Sequence, residues 1–311
     1  MERSHPLAVA LNGYGLQRPD GGRDVLPWHD LLQIATTAEE TGYEAIFAPE
    51  IGAREAFSTL VRIAAATTSI HLATGVAPIG SRDDRRMAME AATASDLSRG
   101  RFVLGLGSSL PLEETRRRVA AIRALLRGER AADDLGSAIP PLDLLVPGVP
   151  IYLAALGPRM TRLAGEVADG VVLNWCRPER VAAAREQVAG SGRHVRLAVY
   201  VRACLGQEDS AAREALASAV SQYASMPTYR RQLEAMGLGK EARSAERGDV
   251  PEALIDAVCL RGSPEEALGR IGAYREAGAD LVVVYPVPAL DAASSILGTV
   301  MALAPRPALE R

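Results

Sequence analysis

Three glycine-bearing turns and one carboxylate are the parts of this sequence best suited to chemistry. "ALGPRMTRLAG" sets Gly157 and Pro158 where an apolar run ends and an amphipathic helix begins, with Arg159 and Met160 in the first helical turn. A helix starting there points free N–H groups and the positive end of its dipole into the turn, which suits an anion. "FVLGLGSS" closes another apolar run with Gly105, Gly107, Ser108 and Ser109, small residues that admit a phosphate to the backbone and supply hydroxyl donors. The two turns together suit one phosphate, although each glycine alone can equally serve a tight turn. "ATGVAPIGSRDD" leaves a third run through Gly75, Val76 and Ala77. That pattern fits either a bulge on which a flat ring rests or an ordinary Gly-Pro turn. Glu50 ends "AIFAPE" and is placed as a general acid or base, as a substrate anchor, or as a solvated loop carboxylate.

The elements that must position these groups alternate along the chain. Apolar runs near 6–12, 43–48, 70–76, 101–106, 149–154, 170–174, 195–204 and 280–285 read as strands, with amphipathic helices between most of them. Eight such repeats predict an α/β (β/α)₈ TIM barrel, with an open doubly wound sheet as the competing arrangement. Gly42, Gly100 and Gly278 stand where helices end in left-handed caps, and Ser263, Pro264 and Glu266 open a helix as a capping box. Residues 129–148 read as a Pro- and Gly-rich connector. Residues 205–262 read as a helical insertion between strands seven and eight, and nothing divides 1–311 into more than one domain. In a barrel, ligands sit at the C-terminal ends of the strands, which gathers the turns above with Asn12 and Tyr14, expected to line the substrate side, and with Trp28, expected either there or as the anchor of the first helix to the barrel. His5, His29, His71 and His194 fall elsewhere, so neither a metal centre nor a histidine-based triad is expected.

Composition narrows the partners. A formal net charge of −3 gives no electrostatic basis for binding nucleic acid or an anionic membrane. No apolar run reaches the ~20 residues that span a bilayer, and the first residues lack a cleavable leader, so a cytoplasmic protein is expected. Cys176, Cys204 and Cys259 are odd in number and widely spaced, as reduced thiols are. The "LGLGSS" pattern lacks the rest of a dinucleotide fingerprint. Lys240, the only lysine, lies in the insertion, so kinase-like chemistry is not expected.

The segments "AEETGYEAIFAPE", "LVRIAAATTSIHLATGVAPIGSR", "AMEAATASDLSRGRFVLGLGSS" and "VPIYLAALGPRMTRLAGEVADGVVLNW", in this order, closely resemble the bacterial-luciferase-like oxidoreductases. "GSPEEALGRIGAYREAGADLVVVYPV" resembles them again near the C-terminus, and "GPRM" with "EVADGV" is most similar to the branch that uses the deazaflavin coenzyme F420. The resemblance implies a flavin or deazaflavin at the barrel mouth and a homodimer or higher homo-oligomer. It places Gly75 and Val76 at a bulge, often a non-proline cis peptide, that supports the ring. It places Ser108, Ser109 and Gly157 to Met160 at the cofactor phosphate, and Glu50 at an acidic position that members often follow with histidine, here Ile51. The reaction it implies is hydride transfer between F420 and a small organic substrate. The alternatives are an FMN-dependent monooxygenase using reduced flavin and oxygen, and a family member without catalysis. The glutamates of the F420 tail suit Arg159, Arg162, Arg177 or Arg180.

Overall fold

Short, almost wholly apolar strands are what a sheet covered on both faces requires, and eight of them form the centre of this chain. The computed structural model describes residues 6–11, 13–17, 23–52, 54–133 and 136–305. The strands are β1 (Leu7–Ala10), β2 (Ala45–Ala48), β3 (His71–Thr74), β4 (Phe102–Gly107), β5 (Ile151–Ala154), β6 (Gly170–Asn174), β7 (Arg196–Ala203) and β8 (Leu281–Pro286). All pair in parallel, β8 with β1 through Leu7↔Val282, and β4 with β5 through Ile151↔Leu104. That last pairing closes the sheet, so the fold is a TIM barrel and the open sheet is excluded.

Alternation along each strand divides the core into two layers. Inside the barrel, Ala8, Ala10, Ala45 and Ala73 face the larger Phe47, Tyr152, Tyr200 and Tyr285. Outside, Leu7, Val9, Leu72, Leu104 and Val282 pack under the helices. These are α1 (Trp28–Glu40), α2 (Ala56–Ala64), α3 (Asp84–Leu97), α4 (Leu112–Leu126), α5 (Pro158–Val167) and α6 (Pro178–Ala189). Between β7 and β8 come α7 (Asp209–Ala224), α8 (Pro227–Ala235), α9 (Gly239–Glu246) and α10 (Glu252–Val258), the expected insertion. Their apolar faces join Trp175, Cys204 and Val287 in a cluster of their own. Then α11 (Pro264–Glu276) opens with the Ser263–Glu266 capping box, and α12 (Ala292–Ala302) follows β8. Gly42, Gly100 and Gly278 take positive φ at the helix ends. In the connector, Ala131–Ala132 pairs antiparallel with Ala138–Ile139.

His29, His71 and His194 are exposed and line none of the cavities at the mouth, while His5 and Asn12 fall outside the described residues. Among the described residues, no cluster of His, Cys, Asp or Glu could hold a metal, and no helix is long and apolar enough to cross a membrane. All three cysteines are free and buried. Burial pushes their thiols up to about 12 at Cys176, about 11 at Cys204 and about 12 at Cys259, so they stay protonated and unreactive.

Glu39 ties the end of α1 to the entrance of β3 by accepting from Thr68 N (2.8 Å), Ser69 N (2.6 Å) and Ile70 N (2.9 Å). Burial pushes its carboxyl up, but the hydrogen bonds from Ser69, Ile70 and Thr68 outweigh that and hold it below its ordinary value. A carboxylate depressed by folding adds stability above its unfolded pKa of about 4.3, and that stability fades as pH falls through the lower folded value. Glu39→Gln is therefore expected to cost about 1–2 kcal/mol near neutral pH. Urea unfolding of both proteins should show the gap closing below about pH 4; a gap independent of pH would contradict the assignment.

Candidate active site

The mouth is shaped by how closely the end of β3 meets β4. Thr74 Oγ1 donates to Gly105 O (2.7 Å) and accepts from Gly105 N (2.8 Å), a reciprocal pair buried between the strands. A Cβ on Gly105 would lie 2.0 Å from the Thr74 carbonyl oxygen, and one on Gly107 would lie 2.6 Å from Val76 Cγ2. Both glycines lie within β4, and Ala77–Pro78 continues the pairing through Ala77↔Leu106. The expectation that Gly105 offers its amide to a phosphate is therefore corrected, because Thr74 already holds that N–H. The Gly75–Val76 peptide is cis. Tyr200 crosses from β7 and donates its hydroxyl to Gly75 O (3.1 Å). Burial pushes that hydroxyl well above its ordinary value, with Tyr285 adding to the effect, so it remains a donor.

Above this floor three cavities run in a row. The central one, about 440 Å³, is bounded by Gly75, Val76, Ser108, Gly157 and Met160 on one side and by Tyr200, Arg202 and Tyr285 on the other. A second, about 660 Å³, shares Leu156, Gly157 and Thr228 with it and adds Pro158, Arg177, Arg180 and Arg231. A third, about 650 Å³, shares Ile51, Arg202, Tyr223 and Tyr285 with the central cavity and lies against α7, with Tyr14 and Gly52 at its edge. Gly157 caps α5 with no side-chain hydrogen bond, and a Cβ there would meet nothing within 4 Å, so the helix end is open.

The remaining site residues separate by exposure. Ser108 Oγ is held against Thr115 Oγ1 (2.6 Å) and accepts from Leu110 N (3.1 Å), so its hydroxyl also organises the four-residue turn into α4. Ser109 and Arg159 are exposed and outside the lining of these cavities, and Ala77 is fully buried within its strand pairing. Glu50 borders the central cavity, where Arg82 grips it with both η nitrogens (2.7 and 2.9 Å). Arg82 also meets Glu55 (3.2 Å) and Glu90 and lies over the Phe57 ring. The hydrogen bonds to Glu50 raise Arg82 above its ordinary value despite burial.

Arg180 carries a different environment. It donates to Thr161 Oγ1 (2.6 Å), and no carboxylate pairs with it among the described residues. Burial pulls its guanidinium below the ordinary value. Nearby, Gln232 Nε2 donates to Asn174 O (2.6 Å) and Trp175 O (2.7 Å), which leaves its buried Oε1 without a partner beside the second cavity.

Sequence reasoning passed over Tyr200 and Arg202, while Tyr285 stood at the expected mouth end of the last strand. The signal for the first two was present in "VRLAVYVRACL", where positions 198, 200 and 202 alternate onto one face and a lone arginine sits in an otherwise apolar strand end.

A family model described as luciferase-like monooxygenase matches residues 14–281. The chain belongs to that family. This luciferase-like protein is 28% identical over 305 residues to a 5,10-methylenetetrahydromethanopterin reductase of Methanolobus tindarius, covering 84% of this chain and 92% of the relative. Among solved structures it is similar to the coenzyme F420-dependent tetrahydromethanopterin reductase of Methanopyrus kandleri, with TM-score 0.72 and 19% identity over 96% of this chain and 98% of that one. It is also similar to an F420-dependent secondary alcohol dehydrogenase bound to an F420–acetone adduct, with TM-score 0.74 and 16% identity over 96% and 99%. The luciferase-like chain is an enzyme, an oxidoreductase.

Gly105→Ala is expected to force β3 from β4, costing about 2 kcal/mol or more, because its Cβ meets a backbone oxygen that cannot swing away. Gly157→Ala, facing open space, is expected to stay within about 1 kcal/mol of the wild type. Chemical denaturation of the two variants side by side checks the contrast.

Proposed function

We propose that this luciferase-like oxidoreductase binds coenzyme F420 and catalyses hydride transfer between it and a small organic substrate. The observation that carries the choice of F420 over FMN is the second cavity, where Arg180 and Arg231, with Arg177 paired to Glu179 (3.3 Å), line the space beyond the open end of α5. FMN ends at its phosphate, whereas F420 continues into a tail of glutamates that needs such cations. The orphaned Gln232 Oε1 supports the same reading, since a hydroxyl or amide N–H of that tail would satisfy it. The exposed Met89 and Leu97 on α3 support the homo-oligomer that the family resemblance implies.

Bound F420 supplies a ring carbon that exchanges a hydride with the substrate. The chain's own work is placement. Gly75 and Val76 form the floor of the central cavity, and Tyr200 fixes the Gly75 carbonyl from the far wall. Gly157 and the first turn of α5 would hold the phosphate, with Ser108, Pro158 and Met160 as neighbours. Arg159 adds positive charge from the solvent side. Glu50, gripped by Arg82, presents a carboxylate that accepts a hydrogen bond from the substrate group gaining or losing its proton. Tyr14, at the edge of the cavity against α7, belongs to the substrate side on this reading.

Fluorescence titrations with F420 and with FMN in parallel test the proposal. F420 is expected to bind and FMN to bind at least ~10-fold more weakly; FMN binding alone would favour oxygen activation, and no binding of either would favour a chain without catalysis. Arg180→Glu is expected to weaken F420 binding by ~10-fold or more, and Arg159→Glu by less. Glu50→Gln is expected to lower kcat by ~100-fold with F420 affinity unchanged, and an unchanged kcat would remove Glu50 from the chemistry.

A further inference from the structure

Arg202, near the mouth end of β7, is only 3% exposed. Its guanidinium lies 4.4 Å from the ring centroid of Trp175, 5.0 Å from that of Tyr223 and 4.4 Å from that of Tyr285. Nη1 donates to Asn174 Oδ1 and Nη2 to the Tyr223 hydroxyl (3.2 Å). These two bonds use two of its five donors. Arg82 and Arg118, whose side chains are 10% and 12% exposed, both meet carboxylates. Among the described residues, no carboxylate pairs with Arg202. Burial without counter-charge is costly, and ring faces stabilise a cation without supplying an anion.

The cage itself is held at a cost. Trp175 takes φ +50, a left-handed conformation rare for a bulky residue, and its buried Nε1 has no hydrogen-bond partner. A strained backbone that keeps an indole under a lone cation marks a place shaped for something other than stability.

Arg202 is also the common wall of the central cavity and the chamber against α7. Away from Arg202 that chamber is largely apolar, with Ala215, Ala219, Met226, Val287 and Leu290 in its lining. The carboxylate in its lining, Glu214, is exposed on α7 and forms no ion pair with Arg202. We propose that Arg202 anchors an anionic group of the substrate, and that the substrate is an organic carboxylate whose apolar body lies in the α7 chamber. A planar carboxylate matches the guanidinium edge, and its single charge offsets the single buried cation, whereas a phosphate dianion would leave an excess. The proposal rests on the hydride-transfer reading for what occupies the central cavity.

The chain has two tryptophans, so Trp28→Phe leaves Trp175, stacked on the guanidinium, as its sole indole reporter. Titrating that protein with hexanoate and with its neutral isostere hexanamide, each with and without saturating F420, tests the anchor. Hexanoate is expected to bind at least ~10-fold more tightly in both conditions. Adding Arg202→Gln is expected to erase the preference, and adding Arg202→Lys to retain part of it. Equal binding of the two probes in the Trp28→Phe protein, which needs no change at Arg202, would overturn the proposal. So would a preference that survives Arg202→Gln, or displacement of hexanoate by F420, which would assign Arg202 to the cofactor. A hexanoate preference in a protein that binds no F420 would instead overturn the F420 reading and leave the anchor standing.

Discussion

Thr74 and Gly105 exchange two hydrogen bonds through one hydroxyl, and the mouth of the barrel is arranged around that contact. The strands come so close that the Thr74 carbonyl occupies the space of a side chain at 105, and Val76 occupies that of one at 107. With no side chains there, the chain leaving β3 departs from the ladder at the cis Gly75–Val76 peptide and resumes its pairing with β4 at Ala77. Gly75 and Val76 thus become a floor, and Tyr200 reaches it from the opposite strand because the inner faces of β1 to β3 are mostly alanine. The small residues on one side of the barrel and the tyrosines on the other are two halves of one steric solution.

Arginine is used in three electrostatic settings around this floor. Arg82 is surrounded by carboxylates and acts as a structural clamp on Glu50. Arg180 sits half-buried with hydroxyl and carbonyl partners beside a cavity. Arg202 is enclosed by aromatic faces. The first setting is complete within the chain, while the other two leave positive charge directed at space a ligand can fill. A sequence composed almost entirely of arginine among its cations suits this, since guanidinium stacks on rings and grips carboxylates in ways a lysine ammonium does not.

The barrel was legible because its periodicity repeats eight times, so local errors in strand ends do not alter the count. The turns at Gly75 and Gly157 were legible because glycine and proline mark strand ends directly. The role of Gly105 was not, since its reason for being glycine lies in Thr74, distant in sequence and adjacent only once strands pair. Arg159 stood out beside the helix start, but helical geometry turns it to solvent, while Arg180, one helix later, is brought into the lining. Arg202 was hidden by the apolar run around it; only the alternation of β7 combined with barrel closure reveals which way it points. Site residues whose role comes from long-range pairing are the ones local pattern misses.

The helices between β7 and β8 supply Tyr223, Thr228, Tyr229 and Gln232 to the cavities, yet their apolar residues pack largely into a cluster of their own. The floor and the facing Tyr200, Arg202 and Tyr285 belong to the strands, and this separately packed group supplies a further part of the lining. Such a division lets natural variation remodel what the enzyme accepts by exchanging α7 and α8 surfaces, while the interstrand contacts that hold the floor stay under an independent constraint. Divergence in the accepting surface and preservation of the floor are thereby uncoupled, and a lineage can explore the first without endangering the second.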